Sequence, residues 1–263
     1  QIKNIDNKVT LPAWIEKGLE RSGISSINPI VDILNYVLIE MGQPLHAFDQ
    51  LKISGEISVR TANKNESLQL LNDQNIKFGG VELIIADERG PLALAGIMGG
   101  DSSAININTT EIFVESAYFD PTRIAGRARS FGLNTDSSHR FERGVDFRMT
   151  SRALKRAAAL IIEFCGGECS NILDIESNLP KRDAIKLRIK KVQDIMGVAL
   201  KDNDIKSALD KLNFTYSDCK EGFLITPPSY RFDLSIEEDL VEEIIRIYGY
   251  NNIPALTPTS QDK

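Results

Sequence analysis

Two histidines, His46 and His139, are the side chains in this sequence that titrate near neutrality without help. His46 stands in Gly42-Gln43-Pro44-Leu45-His46-Ala47-Phe48-Asp49, just beyond an expected helix stop at Gly42. It reads either as a hydrogen-bonded loop histidine or as a polar group that orients a ligand or a water. Glu115 lies in the apolar run Ile112-Phe113-Val114-Glu115-Ser116-Ala117. Strand alternation puts Phe113, Glu115 and Ala117 on one face, so the carboxylate is either a solvated edge charge or an acceptor inside a pocket. Gly96-Ile97-Met98-Gly99-Gly100-Asp101 is a turn where a ligand can approach the backbone closely. It lacks the GxGxxG spacing and a phosphate-loop lysine, which argues against a dinucleotide or nucleoside triphosphate site.

The stretch Asn134-Thr135-Asp136-Ser137-Ser138-His139-Arg140-Phe141-Glu142-Arg143-Gly144 is dense in polar groups. It contains no Gly-x-Ser-x-Gly elbow, and sequence neighbours rarely point at one another, so Ser137, His139 and Asp136 do not read as a nucleophile triad. It reads as a solvated loop or, with Arg123, Arg127, Arg129 and Arg148 nearby, as a basic ligand-facing surface. Farther on, Asp239, Glu242 and Glu243 stand at i, i+3 and i+4 on an expected helix, with Asp233 a few residues before it. Carboxylates on one face repel unless a cation or a basic partner compensates them. Hard divalent ions such as Mg²⁺ take such oxygen ligands, and a solvated acidic face is the alternative. Cys165, Cys169 and Cys219 are odd in number and lack metal spacing, so they read as structural thiols of a reducing, cytoplasmic context.

The elements expected to hold these groups mix both periods. Helices are expected at 11–20, 30–41 and 145–165, with strands at 56–60, 67–71, 81–86, 92–97 and 111–117. After a break near Asn178-Leu179-Pro180-Lys181-Arg182, strands are expected at 185–189 and 223–226 and helices at 203–212 and 236–248. Strands bracketed by helices without regular βαβ alternation define an α+β class. A hydrophobic fraction of 42% and a charged fraction of 26% exclude a disordered chain. No run approaches a membrane span or a secretory leader. A start at Gln1 in place of Met suggests an excised piece. The net charge of −6 hides an asymmetry. Residues 121–148 carry six arginines against three acids, whereas 201–263 carry seven basic residues against twelve acids.

These residues together resemble the beta subunit of bacterial-type phenylalanine–tRNA ligase. The matching stretches are 35–49, Gly96 to Gly100, Asn134 to Asp146, and Ile236 through Tyr248-Gly249-Tyr250-Asn251-Asn252-Ile253-Pro254. The resemblance implies an internal fragment. Residues 1–179 are expected to form an editing domain with a mixed or antiparallel sheet. Residues 180–255 are expected to form a small winged-helix-like, magnesium-carrying module at the alpha-subunit interface, and 256–263 a loose tail. The implied activity is hydrolysis of tyrosine wrongly attached to tRNA(Phe). Glu115 matches the residue that receives the tyrosine hydroxyl, His46 and Thr135 match polar residues near the ester, and Gly99 matches a pocket wall. Ser137 stands where relatives carry alanine, and Ser25 where many carry arginine. Asp233, Asp239, Glu242 and Glu243 match the ligands of a Mg²⁺ shared with the alpha subunit of an alpha2beta2 enzyme, which binds ATP elsewhere. On that basis, neutralising Glu242 and Glu243 is expected to loosen alpha–beta assembly more than folding. The competing readings are a non-catalytic module supporting the alpha subunit, and a winged-helix nucleic-acid module in the second part. The acidic balance there disfavours the last, because phosphate binding needs Lys and Arg.

Overall fold

The computed structural model describes residues 1–176 and 178–255. Its contacts divide the chain into two units, Gln1–Asn178 and Leu179–Lys263. The tail expected at 256–263 lies outside the described residues.

In the first unit, β1 (Ile2–Lys3) leads to α1 (Ala13–Arg21) and α2 (Pro29–Met41). The Asn28 side chain accepts the Val31 amide and Pro29 supplies a preset φ, so α2 starts where its first amides are satisfied. Gly42, at φ 73°, ends it in the left-handed region that favours glycine. The chain then enters β2 (His46–Asp49), β3 (Ser58–Thr61), β4 (Ser67–Gln69), β5 (Asn75–Lys77), β6 (Leu83–Ala86), β7 (Pro91–Leu94), β8 (Met98–Gly99) and β9 (Glu111–Glu115). Three short helical pieces follow: α3 (Pro121–Ile124), α4 (Arg127–Ser130) and α5 (Asp136–Arg143). Then come α6 (Thr150–Cys165) and β10 (Glu168–Cys169).

One antiparallel sheet runs β10-β1-β9-β2 and another runs β3-β6-β7-β8, with β4-β5 as a separate hairpin. β9 divides two apolar cores. Ile112 and Val114 pack with Ile15, Val37, Ala157 and Ile161 of the helices. Phe113 and Ala117 pack with Phe48, Ile84, Leu94 and Phe141. The alternation read along 112–117 is therefore the partition between the two cores.

Several expected bounds shift. His46 is in a strand, not a loop, and 136–143 is a helix where a loop was one reading. The last long helix of this unit begins at Thr150, not Val145, because Asp146 accepts the Arg148 amide and turns the chain there.

The second unit pairs β11 (Ile185–Arg188) with β13 (Gly222–Thr226) and β13 with β12 (Thr215–Cys219), all antiparallel. Its helices are α7 (Ile189–Met196), α8 (Asp202–Lys211) and α9 (Glu237–Tyr248). Leu187, Phe223, Ile225, Leu240, Val241 and Ile244 fill the core between them. At Gly222 (φ 154°) a Cβ would lie 2.1 Å from the Leu187 carbonyl oxygen, so only glycine lets these strands approach. Neither α7 nor β12 was expected: Val192 and Met196 give only two apolar anchors, and 215–219 alternates polar residues.

Candidate active site

A cavity of about 340 Å³ opens in the first unit, within the size range of small-molecule sites. Its wall contains His46, Gly99, Glu115, Thr135 and Ser137, from four separate elements. The antiparallel register sets His46 of β2 directly opposite Glu115 of β9. Residues so paired project to the same side, which brings a histidine and a carboxylate to one cavity wall. Phe48 meets the His46 ring edge-on, with centroids 4.6 Å apart, and fixes its tilt.

Both groups are half-buried, and desolvation governs each. Burial pushes the Glu115 carboxyl up to about 7 and the His46 imidazole down to about 4. Low polarity favours the uncharged form of each. Glu115 Oε1 is sealed from solvent and receives no hydrogen bond from the protein. An acceptor in that state costs about 1–3 kcal/mol, and a ligand donor removes the cost. Asn35 of α2 also lines the cavity, its side chain bonds no other group among the described residues, and it was missed in the sequence. A polar residue amid the apolar positions of α2 was the available signal.

Thr135 and Ser137 have a different part. Thr135 caps α5: its Oγ1 accepts the Ser138 amide at 3.0 Å, and Ser138 Oγ accepts the Thr135 amide at 3.1 Å. The Thr135 hydroxyl donates to the Ile97 carbonyl at 2.9 Å, and the Ser137 hydroxyl donates to the Gly96 carbonyl at 3.1 Å. A hydroxyl has one proton, so neither can also donate to a ligand. These residues tie α5 to the Gly96–Gly99 turn and shape the wall. Ester positioning by donation from Thr135 does not fit this geometry.

Gly99 is tightly enclosed. A Cβ there would sit 2.6 Å from His46 Cε1 and 2.7 Å from Nε2. Gly99→Ala is therefore expected to displace the imidazole while leaving the fold intact. Ester hydrolysis should drop about tenfold or more, since small misplacements of a reacting group are costly. A parental rate in Gly99→Ala, measured beside an unchanged melting temperature, would remove His46 from the chemistry.

In the second unit the four acids are not gathered around one point. Arg231 Nη2 lies 2.6 Å from Asp233 Oδ2 and 2.8 Å from Glu243 Oε1. Arg246 holds the other Glu243 oxygen. Asp239 Oδ2 accepts the Ser235 and Ile236 amides at 2.7 and 2.9 Å and caps α9. Glu242 is exposed. Among the described residues no group of three or more acidic, histidine or cysteine side chains is arranged to hold a metal. The oxygen donors suit Mg²⁺ chemically, but a guanidinium stands between two of them, so the set as arranged does not fit a metal held by all four. Glu243 is buried and doubly paired, so its neutralisation strikes folding directly; Glu242 alone is separable from it.

The cysteines remain free thiols, with Cys165 buried and its thiol pushed up to about 11 by burial, then by the nearby Asp6.

Residues 1–166 match the family described as the B3/4 domain, and residues 185–250 match the tRNA synthetase B5 domain. The chain belongs to the B3/4 domain family. Over nearly its whole length it is also similar to bacterial phenylalanine–tRNA ligase beta subunits. It is 47% identical over 259 residues to that of Chromobacterium violaceum, covering 98% of this chain and 33% of the relative. It is 50% identical over 262 residues to that of Psychrobacter arcticus, covering 99% of this chain and 33% of the relative. The chain spans about a third of the length of the curated relatives it matches. A crystal structure of an N-terminal fragment of the Pyrococcus horikoshii phenylalanyl-tRNA synthetase beta subunit aligns with TM-score 0.43 and 14% identity, covering 94% of this chain and 69% of that one.

Proposed function

We propose that this chain is the editing part of a phenylalanine–tRNA ligase beta subunit and that its first unit hydrolyses tyrosine esterified to tRNA(Phe). The observation that carries this reading is the convergence of His46, Gly99, Glu115, Thr135 and Ser137 on one cavity. Phenylalanine and tyrosine differ by one hydroxyl, and an apolar synthetic pocket rejects an added hydroxyl poorly. A second pocket with an unsatisfied acceptor makes the opposite selection. Tyrosine supplies the hydrogen bond that Glu115 lacks, whereas phenylalanine leaves it unmade.

In the reaction, water attacks the ester carbonyl, the carbon–oxygen bond to the ribose breaks, and the ribose hydroxyl leaves with a proton. His46, neutral through burial, offers a ring nitrogen that accepts a hydrogen bond from that water. Asn35 supplies an amide to the same cavity. Thr135 and Ser137 hold the α5 wall in place.

By the same reading the whole enzyme is an aminoacyl-tRNA ligase of the cytoplasm, charging tRNA(Phe) with phenylalanine at the expense of ATP and Mg²⁺. It pairs this beta subunit with an alpha subunit in an alpha2beta2 assembly, and neither DNA nor a membrane is a partner. Among the described residues no helix is long and apolar enough to cross a membrane. No step is assigned to Mg²⁺ on this chain.

Incubation of the chain with Tyr-tRNA(Phe) and Phe-tRNA(Phe) tests the reading. Release of tyrosine well above the spontaneous rate, with much slower release of phenylalanine, is the expected result. Release of both at the spontaneous rate would favour the non-catalytic alternative in which the chain supports the alpha subunit, and catalysed release unaffected by His46→Ala would remove His46 from the chemistry.

A further inference from the structure

Arginines in this protein fall into two populations. Outside residues 121–152, Arg60, Arg89, Arg156, Arg188, Arg231 and Arg246 are each ion-paired with a carboxylate, leaving Arg21 and Arg182. Inside it stand Arg123, Arg127, Arg129, Arg140, Arg143, Arg148 and Arg152, and only Arg140 has such a partner, Asp136. Arg123 donates to the Thr61 hydroxyl and Arg143 to the His139 carbonyl, both neutral groups. Among the described residues Arg127 Nε is buried without a hydrogen-bond partner, as is Arg182 Nε outside the segment. The acids of the segment are engaged elsewhere or too few. Asp136 pairs with Arg140, Asp146 takes the Arg148 amide, and Glu142 is the remaining one; Asp120, just before the segment, takes the Thr122 amide and hydroxyl. Arg123, Arg129, Arg143, Arg148 and Arg152 are exposed.

The same segment supplies one wall of the cavity. Thr135, Ser137 and Phe141 of the segment line it, as does Phe119 just before the segment, and α3 packs on α5. Clustered guanidiniums without carboxylate partners repel one another, which works against the compact state. Their value lies with a polyanion, and a guanidinium fork matches phosphate oxygens two at a time.

We propose that the exposed arginines of residues 121–152 are the contact surface for the phosphate backbone of the RNA whose aminoacylated end enters the cavity. This rests on the editing reading for the identity of the RNA but stands on a separate set of residues. The surface is sequence-tolerant, since it meets phosphates and not base edges. It supplies binding and leaves the rate of the bound ester unchanged.

The test uses the chain with a fluorescent tRNA(Phe) transcript, titrated from 50 to 200 mM salt. The variant is Arg129→Gln/Arg143→Gln/Arg148→Gln, and the control is Lys8→Gln/Lys17→Gln/Lys64→Gln, three exposed lysines of the same unit. The arginine variant is expected to bind about tenfold or more weakly at 100 mM salt, with a shallower slope of log affinity against log salt by roughly 0.7–0.9 per lost contact. For Tyr-tRNA(Phe) hydrolysis, KM should rise in that variant with kcat retained. An unchanged slope, an equal loss in the lysine control, or no binding by the parent at 50 mM salt overturns the surface. Displacement of the RNA by polyglutamate of matched charge as readily as by unlabelled tRNA overturns it in favour of an acidic protein partner. If the parent binds with the expected slope but hydrolyses nothing, the surface stands and the editing reading falls. Hydrolysis by the parent with no change in the arginine variant has the reverse meaning.

Discussion

Glu115→Ala is expected to abolish the preference of the cavity for free tyrosine over phenylalanine. The carboxyl oxygen of Glu115 is enclosed and unpartnered, so its hydrogen bond to a phenol is not in competition with water. Loss of that bond should weaken tyrosine binding by about 1–3 kcal/mol, roughly five- to 150-fold, while phenylalanine binds as well or better. Titration calorimetry of the chain with both amino acids reads the difference directly. Equal tyrosine affinity in parent and variant would end the role of Glu115.

The same residue sets a pH signature. Its carboxyl is pushed up to about 7 by desolvation, from an ordinary 4.5. Above that point the acceptor is a full carboxylate, whose hydrogen bond to a phenol is charge-assisted and stronger. Tyrosine preference should therefore rise as pH climbs through about 7, and Glu115→Gln should flatten the profile. Stability runs the other way. Between 4.5 and 7 the folded chain holds a proton that the unfolded chain has released, so the contribution is full below 4.5 and is lost as pH rises to 7. The loss is on the order of 3 kcal/mol, and less where water reaches the side chain. His46, held down at about 4 against 6.5, opposes this, because the folded chain resists protonation and loses stability as pH falls between those values. Glu115→Gln should be more stable than the parent at pH 8, and the two should converge near pH 4.5. Chemical denaturation across that range measures both effects.

Residue patterning alone revealed these groups but not their meeting, which only the family resemblance implied. Alternation along 112–117 told correctly which side of β9 carries Glu115, because a period of two needs no partner strand to be read. His46 read as a loop residue because Pro44 and the short run 46–49 give too few apolar alternations to announce a strand. Only pairing with β9 makes it one. Likewise 134–144 looked solvated because its apolar content is nearly confined to Phe141, while its capping box was carried by Ser138 and not by the usual Glu or Gln. The four acids of the second unit show another limit of spacing. Helical spacing places side chains on a face but says nothing of a basic residue arriving from outside the helix, and Arg231 is that residue.

Arg231 should accordingly be the charged residue of the second unit whose removal costs most. Its guanidinium bridges Asp233 before α9 to Glu243 within it, and it lies 5.8 Å from the centre of the Phe214 ring. Asp233 and Glu243 are both held below the usual carboxylate range, in each case first by their hydrogen bonds to Arg231. The stability these acids lend is thus present at neutral pH and fades as pH falls below their ordinary values. Arg231→Met leaves the buried Glu243 with Arg246 alone. Loss of one member of a buried ion pair costs about 3–5 kcal/mol, and the partial exposure of this one brings the expectation to roughly 2–3 kcal/mol. The double variant Arg231→Met/Glu243→Leu should recover most of it, because the stranded carboxylate is then gone as well. Magnesium supplies the contrast. A guanidinium already compensates Asp233 and Glu243, so the melting temperature of the parent chain should be the same in millimolar Mg²⁺ as in chelator. Stabilisation of the parent by Mg²⁺ that disappears in Glu242→Gln would show instead that the ion binds these carboxylates directly and that Arg231 yields to it.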